Sequence, residues 1–149
     1  MEIDKVKLYK NILLLSALIL LIILPGCSAQ EIPLAEVKQY ADPITENILM
    51  AMNEDNYSRF SQDFDEQMKN GLDEIKYYKT IPGMKNKIGQ YISKELVFFE
   101  KKDQFLVVTY KAKFSDESGD VTVRSVFSDR NGKKYISGFW MDSQKLRGN

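Results

Sequence analysis

Residues 105–140, FLVVTYKAKFSDESGDVTVRSVFSDRNGKKYISGFW, decide how the chain folds. From Phe105 to Phe114 the residues alternate, with Leu106, Val108, Tyr110, Ala112 and Phe114 on one face and Thr109, Lys111 and Lys113 on the other. Successive strand side chains point to opposite faces, so this pattern predicts a strand with one buried side. Val121 to Ser128 alternates likewise through Val121, Val123, Ser125 and Phe127. Asn131-Gly132 then supplies the positive φ angles of a two-residue type I′ hairpin turn. That turn predicts Arg130 opposite Lys133, hence Phe127 opposite Ile136, Ser125 opposite Gly138 and Val123 opposite Trp140. With Phe114 facing Val121 across the DESG turn, Ala112 meets Val123, Tyr110 meets Ser125 and Val108 meets Phe127. All apolar rows then share one face, which a slip of one residue would destroy.

Upstream, Ile88 to Lys101 reads as a first strand of less regular pattern. Pairing it through Lys102-Asp103 turns Phe99 and Val97 inward but brings Glu95, Ser93 and Tyr91 with them. Alternation favours Ile92, Leu96 and Phe98 on the opposite face, and a β-bulge between Lys94 and Val97 reconciles the two. The segment before it is helical. Asp42-Pro43 has the form of an N-cap followed by Pro at the first helical position, with Ile44, Ile48, Leu49 and Met52 marking one face. Leu34, Val37 and Tyr40 form a preceding turn or a kinked extension. Asn53 to Asn56 stops this helix, Tyr57 to Gln62 forms a short one, and Asp65 caps a third that carries Met68, Leu72 and Ile75, with a break near Asp73. Pro82-Gly83 is the expected end of the helical half. Helices first and an antiparallel meander second predict an α+β domain with its helices on one face of the sheet.

The N-terminus is of another kind. Lys5, Lys7 and Lys10 precede Ile12–Leu24 (ILLLSALILLIIL), a run without charge that Pro25-Gly26 terminates. As a helix it would span roughly 20 Å, short of the ~30 Å hydrocarbon core, and the pattern is that of a secretory signal. An uncleaved N-terminal anchor is the alternative. Leu24-Pro25-Gly26-Cys27 resembles the lipobox of prokaryotic lipoproteins, with an unusual Pro25. The resemblance implies cleavage before Cys27 and a thioether-linked diacylglyceryl group on its sulfur, hence a lipid-anchored protein on the extracytoplasmic face of the cell membrane. The expected organisation is a signal peptide at 1–26, the lipidated Cys and a short linker at 27–33, and one domain at 34–149. The cleaved piece takes three lysines and two acids with it, leaving a charge of about −1.

The order of elements resembles the nuclear transport factor 2-like, or cystatin-like, α+β cone, in which helices pack on a curved four-stranded sheet. More narrowly, ADPITENILMAMNEDNYSRFSQDF, KIGQY and YISGFWMDSQKLR are similar to a family of small prokaryotic secreted or lipid-anchored domains of unknown function. The shared features are an Ala-Asp-Pro helix start, a Tyr-x-x-Phe turn and a Gly-aromatic final strand. The resemblance implies no catalytic residues.

Composition narrows the chemistry. The 149 residues include 21 Lys+Arg, 21 Asp+Glu, one Cys and no His. The commonest general base and metal ligand is therefore missing, Cys-cluster metal sites are excluded, and balanced charge argues against nucleic acid. No cofactor or metal site is expected; Asp116, Glu117 and Asp120 lack Ca²⁺-loop spacing and read as a solvated turn. The small residues Ser125 and Gly138 beside Tyr110, with Trp140 and Glu95 nearby, outline a pocket, unless Phe60 or Phe64 fills it or Gly138 serves sheet curvature. Glu95 against Tyr110 would be the one acid–base pair available to a pocket enzyme, and a bulge would turn it to solvent. On the outer face, Val107, Val126, Phe139 and Met141 among Lys111 and Arg124 form an expected interface for a homodimer or other partner. The expected function is a noncatalytic, lipid-anchored domain that binds a small ligand or an envelope protein, with a structural, self-associating role as the alternative.

Overall fold

The computed structural model describes residues 32–148 and arranges them as helices followed by a four-stranded antiparallel meander of order β1-β2-β3-β4. The expected α+β class is what the chain adopts. The expected signal peptide at 1–26, Cys27 and the expected linker as far as residue 31 lie outside the described residues. The helices are α1 (Leu34–Asn53), α2 (Tyr57–Phe60), α3 (Glu66–Gly71) and α4 (Glu74–Ile88). The strands are β1 (Tyr91–Lys102), β2 (Phe105–Phe114), β3 (Val121–Arg130) and β4 (Lys133–Asp142), and a short α5 (Gln144–Arg147) ends the chain.

Two helix boundaries differ from expectation. α1 does not begin at Asp42 but runs straight through Pro43 from Leu34. Proline removes one intrahelical bond, at ~3 kcal/mol in an unsupported helix. Here Val37 and Ala41 are fully buried in the first turns, and Tyr40 packs edge-on against Phe127 at 5.4 Å. Tertiary burial outweighs the loss, and Asp42 pairs with Lys38 at 2.8 Å instead of capping. Likewise α4 passes Pro82-Gly83, because Tyr77, Ile81 and Ile88 form one buried stripe along it. Its stop is Gly89, whose φ is +78° and whose missing Cβ makes room for Ser115 and Asp116. The expected break near Asp73 is present, with Asp65 Oδ1 accepting from Met68 N at 2.8 Å and Asp73 Oδ1 from Lys76 N at 2.9 Å.

The sheet keeps its inner face but not its whole register. Ala112 pairs with Val121, Tyr110 with Val123, Val108 with Ser125 and Leu106 with Phe127. This is two residues from the expected pairing, so the buried row stays buried. Beyond β2 the amides of Ser115 and Asp116 bond to the Gln90 and Ile88 carbonyls, so the chain follows the β1 side for two more residues before it turns to β3. β1 carries irregularities at Tyr91–Ser93 and Leu96–Phe98, the second overlapping the expected bulge. Between β3 and β4, Arg130 meets Lys133 and Phe127 meets Ile136 as expected. Beyond them a bulge at Ser137 brings Val126 opposite Gly138, Ser125 opposite Phe139 and Val123 opposite Met141. One extra residue reverses the facing of the rest of the strand.

The bulge is tied to the helical layer. Ser137 Oγ donates to Asp65 Oδ2 at 2.6 Å and lies 2.7 Å from Ser128 Oγ. Asp65 N donates to the Ile136 carbonyl at 2.9 Å, and Ile136 N to the Asp63 carbonyl at 2.7 Å. The Asp63–Asp65 segment thereby covers part of the β4 edge, where Phe64 and Ile136 form a parallel bridge. Behind it, Phe60 centres an aromatic cluster, 4.8 Å from Tyr77, 5.1 Å from Phe64 and 6.2 Å from Phe139.

Asp65 is only 5% exposed. Burial alone would raise its pKa, but the Ser137 hydroxyl, the Met68 amide and the Arg130 guanidinium outweigh that and hold it below the usual carboxylate value. A depressed folded pKa means stability that is present above the unfolded value near 4 and lost as pH falls through the folded one. Asp65→Asn is expected to cost about 1–3 kcal/mol at neutral pH and to flatten the acid limb of stability below pH ~4. Urea midpoints between pH 2.5 and 7 measure both, and an acid limb parallel to the parent's would refute this role.

Candidate functional site

The polar groups of the interior collect where α1 crosses the inner face of the sheet. Asp42, Thr45 and Glu46 share one side of α1 at helical spacing. β1 contributes Tyr91 and Lys94, β2 Tyr110, and β3 Ser125. Thr45 Oγ1 and Ser125 Oγ are 2.8 Å apart, and both residues are completely buried. Tyr91 donates its hydroxyl to Glu46 Oε2 at 2.7 Å, and Lys94 Nζ approaches the same oxygen at 3.1 Å. The Lys94 side chain is 7% exposed, and its ammonium lies 5.0 Å from the centre of the Tyr110 ring. Asp42 Oδ1 and the Tyr110 hydroxyl are buried and find no hydrogen-bond partner among the described residues.

The two phenols of the seam are held in their protonated form. Burial, followed by the Glu46 hydrogen bond and charge, pushes the Tyr91 phenol well above its ordinary value. Burial does the same for Tyr110; the Thr45 contact opposes it and the Asp42 carboxylate adds to it. Neither phenol ionises near neutral pH. The Ser125 hydroxyl faces another hydroxyl, with no base in place to activate it.

Of the five residues expected to line a pocket, Tyr110 and Ser125 are inside, and Thr45 occupies the space beside Ser125. Gly138 and Trp140 are corrected to the outer face by the Ser137 bulge. A Cβ on Gly138 would press on the Val126 side chain, and Trp140 is 49% exposed. Glu95 is also corrected: the β1 irregularity leaves it exposed opposite Lys111, while Leu96 takes the place opposite Tyr110. The acid–base pair of Glu95 and Tyr110 is therefore not assembled. Of the expected interface, Val107 and Val126 pair with each other on the outer face. Phe139 and Met141 are corrected to the inner one, Phe139 against Phe60 and Met141 nearly fully buried.

Three further features complete the surface. On the outer face a row crosses all four strands: Phe98, Thr109, Arg124 and Trp140. The Arg124 guanidinium sits 5.3 Å over the Trp140 ring, and Phe98 is 53% exposed. Phe98 was legible as an apolar residue on that side of β1; Trp140 was not, since its facing depends on the bulge. At the hairpin end lies a cleft of about 210 Å³ among Ile32, Tyr40, Phe105, Phe127, Lys101 and Lys134. Lys134 is held there by Asp129 and lies 5.0 Å from the centre of the Tyr40 ring. At the opposite end, Asp120 pairs with Lys113 at 2.7 Å, and Glu117 accepts from Lys145 N at 3.2 Å. These carboxylates are committed to protein donors.

A family described as Protein of unknown function (DUF3887) matches residues 45–139. No curated protein matches the chain. Among solved structures, a chain named Rd1NTF2_05, carrying five named substitutions, is similar at 15% identity with a TM-score of 0.49, covering 72% of this chain and 99% of its own.

If the Thr45–Ser125 contact is a mutual solution for two buried hydroxyls, either Thr45→Val or Ser125→Ala should cost about 1–2 kcal/mol, and the pair together less than the sum. Denaturant unfolding of the cycle checks this, and strict additivity would contradict it. Tyr110→Phe removes a hydroxyl without a protein partner and is expected to change stability by less than about 1 kcal/mol. A larger loss would mean that the hydroxyl has a partner of its own.

Proposed function

The chain belongs to the DUF3887 family of proteins of unknown function, and from that footing we propose that it is a noncatalytic, lipid-anchored extracytoplasmic domain that binds a protein of the cell envelope through the outer face of its sheet. The observation that carries this reading is the exposed Phe98–Thr109–Arg124–Trp140 row with Val107 and Val126 beside it. Trp and Arg are the residues that most often anchor protein interfaces. Stacked on each other before any partner arrives, they lose less conformational freedom on binding.

Two features support binding over chemistry. The sequence has no His, and in the inner seam the Thr45 and Ser125 hydroxyls pair with each other while Glu46 holds the Tyr91 hydroxyl and the Lys94 ammonium. The inner seam, closed where Thr45 meets Ser125, also favours a protein partner on the outer face over a small ligand held in the seam. Self-association through the same row is the second reading, favoured by the same exposed aromatics.

Anchoring rests on the charge-free run before Leu24-Pro25-Gly26-Cys27. A second acyl chain turns marginal membrane binding into stable binding, at ~0.8 kcal/mol per buried CH₂. Among the described residues, no helix is long and apolar enough to cross a membrane.

Phe98→Glu combined with Trp140→Glu should leave the far-UV dichroism unchanged and abolish the cross-link to a partner of discrete mass in intact membranes. Persistence of the cross-link would overturn the outer-face assignment, and light scattering of the purified protein identifies a second copy as that partner. Cys27→Ala should eliminate labelling by a radioactive fatty acid and move the protein out of the membrane fraction. Undiminished labelling would remove the anchor.

A further inference from the structure

The two hairpin turns lie side by side, because Phe105 at the start of β2 pairs with Ser128 near the end of β3. Lys101 and Lys102 flank the first turn, and Arg130, Lys133 and Lys134 flank the second. Against these five cations stand Glu100, Asp103, Asp129, Asp65 and, beside Lys134, Glu36, so what distinguishes this end is which cations are left without a partner. Three of the cations have carboxylate partners: Lys102 with Glu100, Lys134 with Asp129, and Arg130 with Asp65 at 3.6 Å. Lys101 and Lys133 have none among the described residues, and both are exposed. The described chain also begins here, since Ile32 lines the cleft between these turns. Four residues separate Ile32 from Cys27. At ~3.5 Å per residue they hold any group on Cys27 within about 20 Å of this end.

We propose that the paired hairpin turns dock against a bilayer surface rich in anionic phospholipid, with Lys101 and Lys133 meeting the headgroup phosphates. This inference rests on the lipid-anchor reading and adds an orientation to it. The two unpaired lysines and the exit point of the chain select the same end of the molecule. An anchored domain of net charge near −1 gains nothing from overall attraction, but it gains from turning Lys101 and Lys133 to an anionic leaflet, where each basic group near the surface contributes separately. Docked in this way, the strands rise away from the membrane and the Phe98–Trp140 row stays open to the side. The apolar walls of the cleft, Phe105 and Phe127 among them, lie between the two lysine-bearing turns.

The test uses the full chain, processed in its membrane and returned to vesicles. With Cys27 acylated, Gln104→Cys places the only free thiol at the hairpin turns, and Gly119→Cys places it at the far end, where nothing lies within 4 Å of an added Cβ. Each thiol carries a fluorophore, and the vesicles contain headgroup spin-labelled lipid. In vesicles with 30% phosphatidylglycerol, quenching at Gln104→Cys should exceed that at Gly119→Cys several-fold. The difference should vanish in pure phosphatidylcholine, in 0.5 M salt and in Lys101→Glu/Lys133→Glu. Flotation with both vesicle types but equal quenching at the two sites would overturn the docking and leave the anchor standing. Failure to float with either vesicle type would overturn the anchor and the orientation built on it.

Discussion

The carboxylate of Asp65 holds the structure's most consequential contact. It caps α3 through the Met68 amide, takes the hydroxyl proton of Ser137 and faces Arg130. Its own amide and the Asp63 carbonyl grip Ile136 on the edge of β4. A helix start, a sheet edge and a bulge are thus one unit. The bulged Ser137 sets the facing of everything after it on β4, so the same contact sends Phe139 and Met141 into the core and Gly138 and Trp140 to the surface. Both the interior and the exposed row follow from it. Without the bulge, Trp140 would face inward and Phe139 outward.

The interior that results is filled and internally paired. Thr45 reaches across from α1 to Ser125, and Glu46 gathers Tyr91 and Lys94. A buried hydroxyl or ammonium without a partner is costly, which explains why these groups occur opposite one another on facing elements. Asp42 Oδ1 and the Tyr110 hydroxyl are the exceptions, and they sit where the proline-bearing stretch of α1 meets the sheet. The outer face is the reverse case: its aromatic and cationic groups meet each other across strands and leave large apolar surfaces exposed.

Much of the fold was legible because strand alternation and cap chemistry are local. The Asn131-Gly132 turn, the alternation of β2 and β3, the Asp65 cap and the break near Asp73 each depend on residues within a few positions of one another. The irregularity in β1 could be inferred from the conflict between its apolar pattern and its hairpin. Pro43 and Pro82-Gly83 misled for the opposite reason. Their local cost is real, but Val37 and Ala41 on one helix, and Ile81 and Ile88 on the other, gain more by burial against the sheet than the broken bond loses.

By itself, the sequence determined the order of elements, the α+β class, the buried face of β2 and β3, and the absence of any imidazole chemistry. Tertiary structure alone decided which way the second half of β4 faces, and with it the identity of the surface row and the fate of the expected pocket. The reason is range. Alternation propagates a facing along a strand only while pairing is unbroken, and the contact that breaks it joins residues 72 positions apart. No pattern within β4 signals that Ser137 will be drawn out by a carboxylate from the helical half.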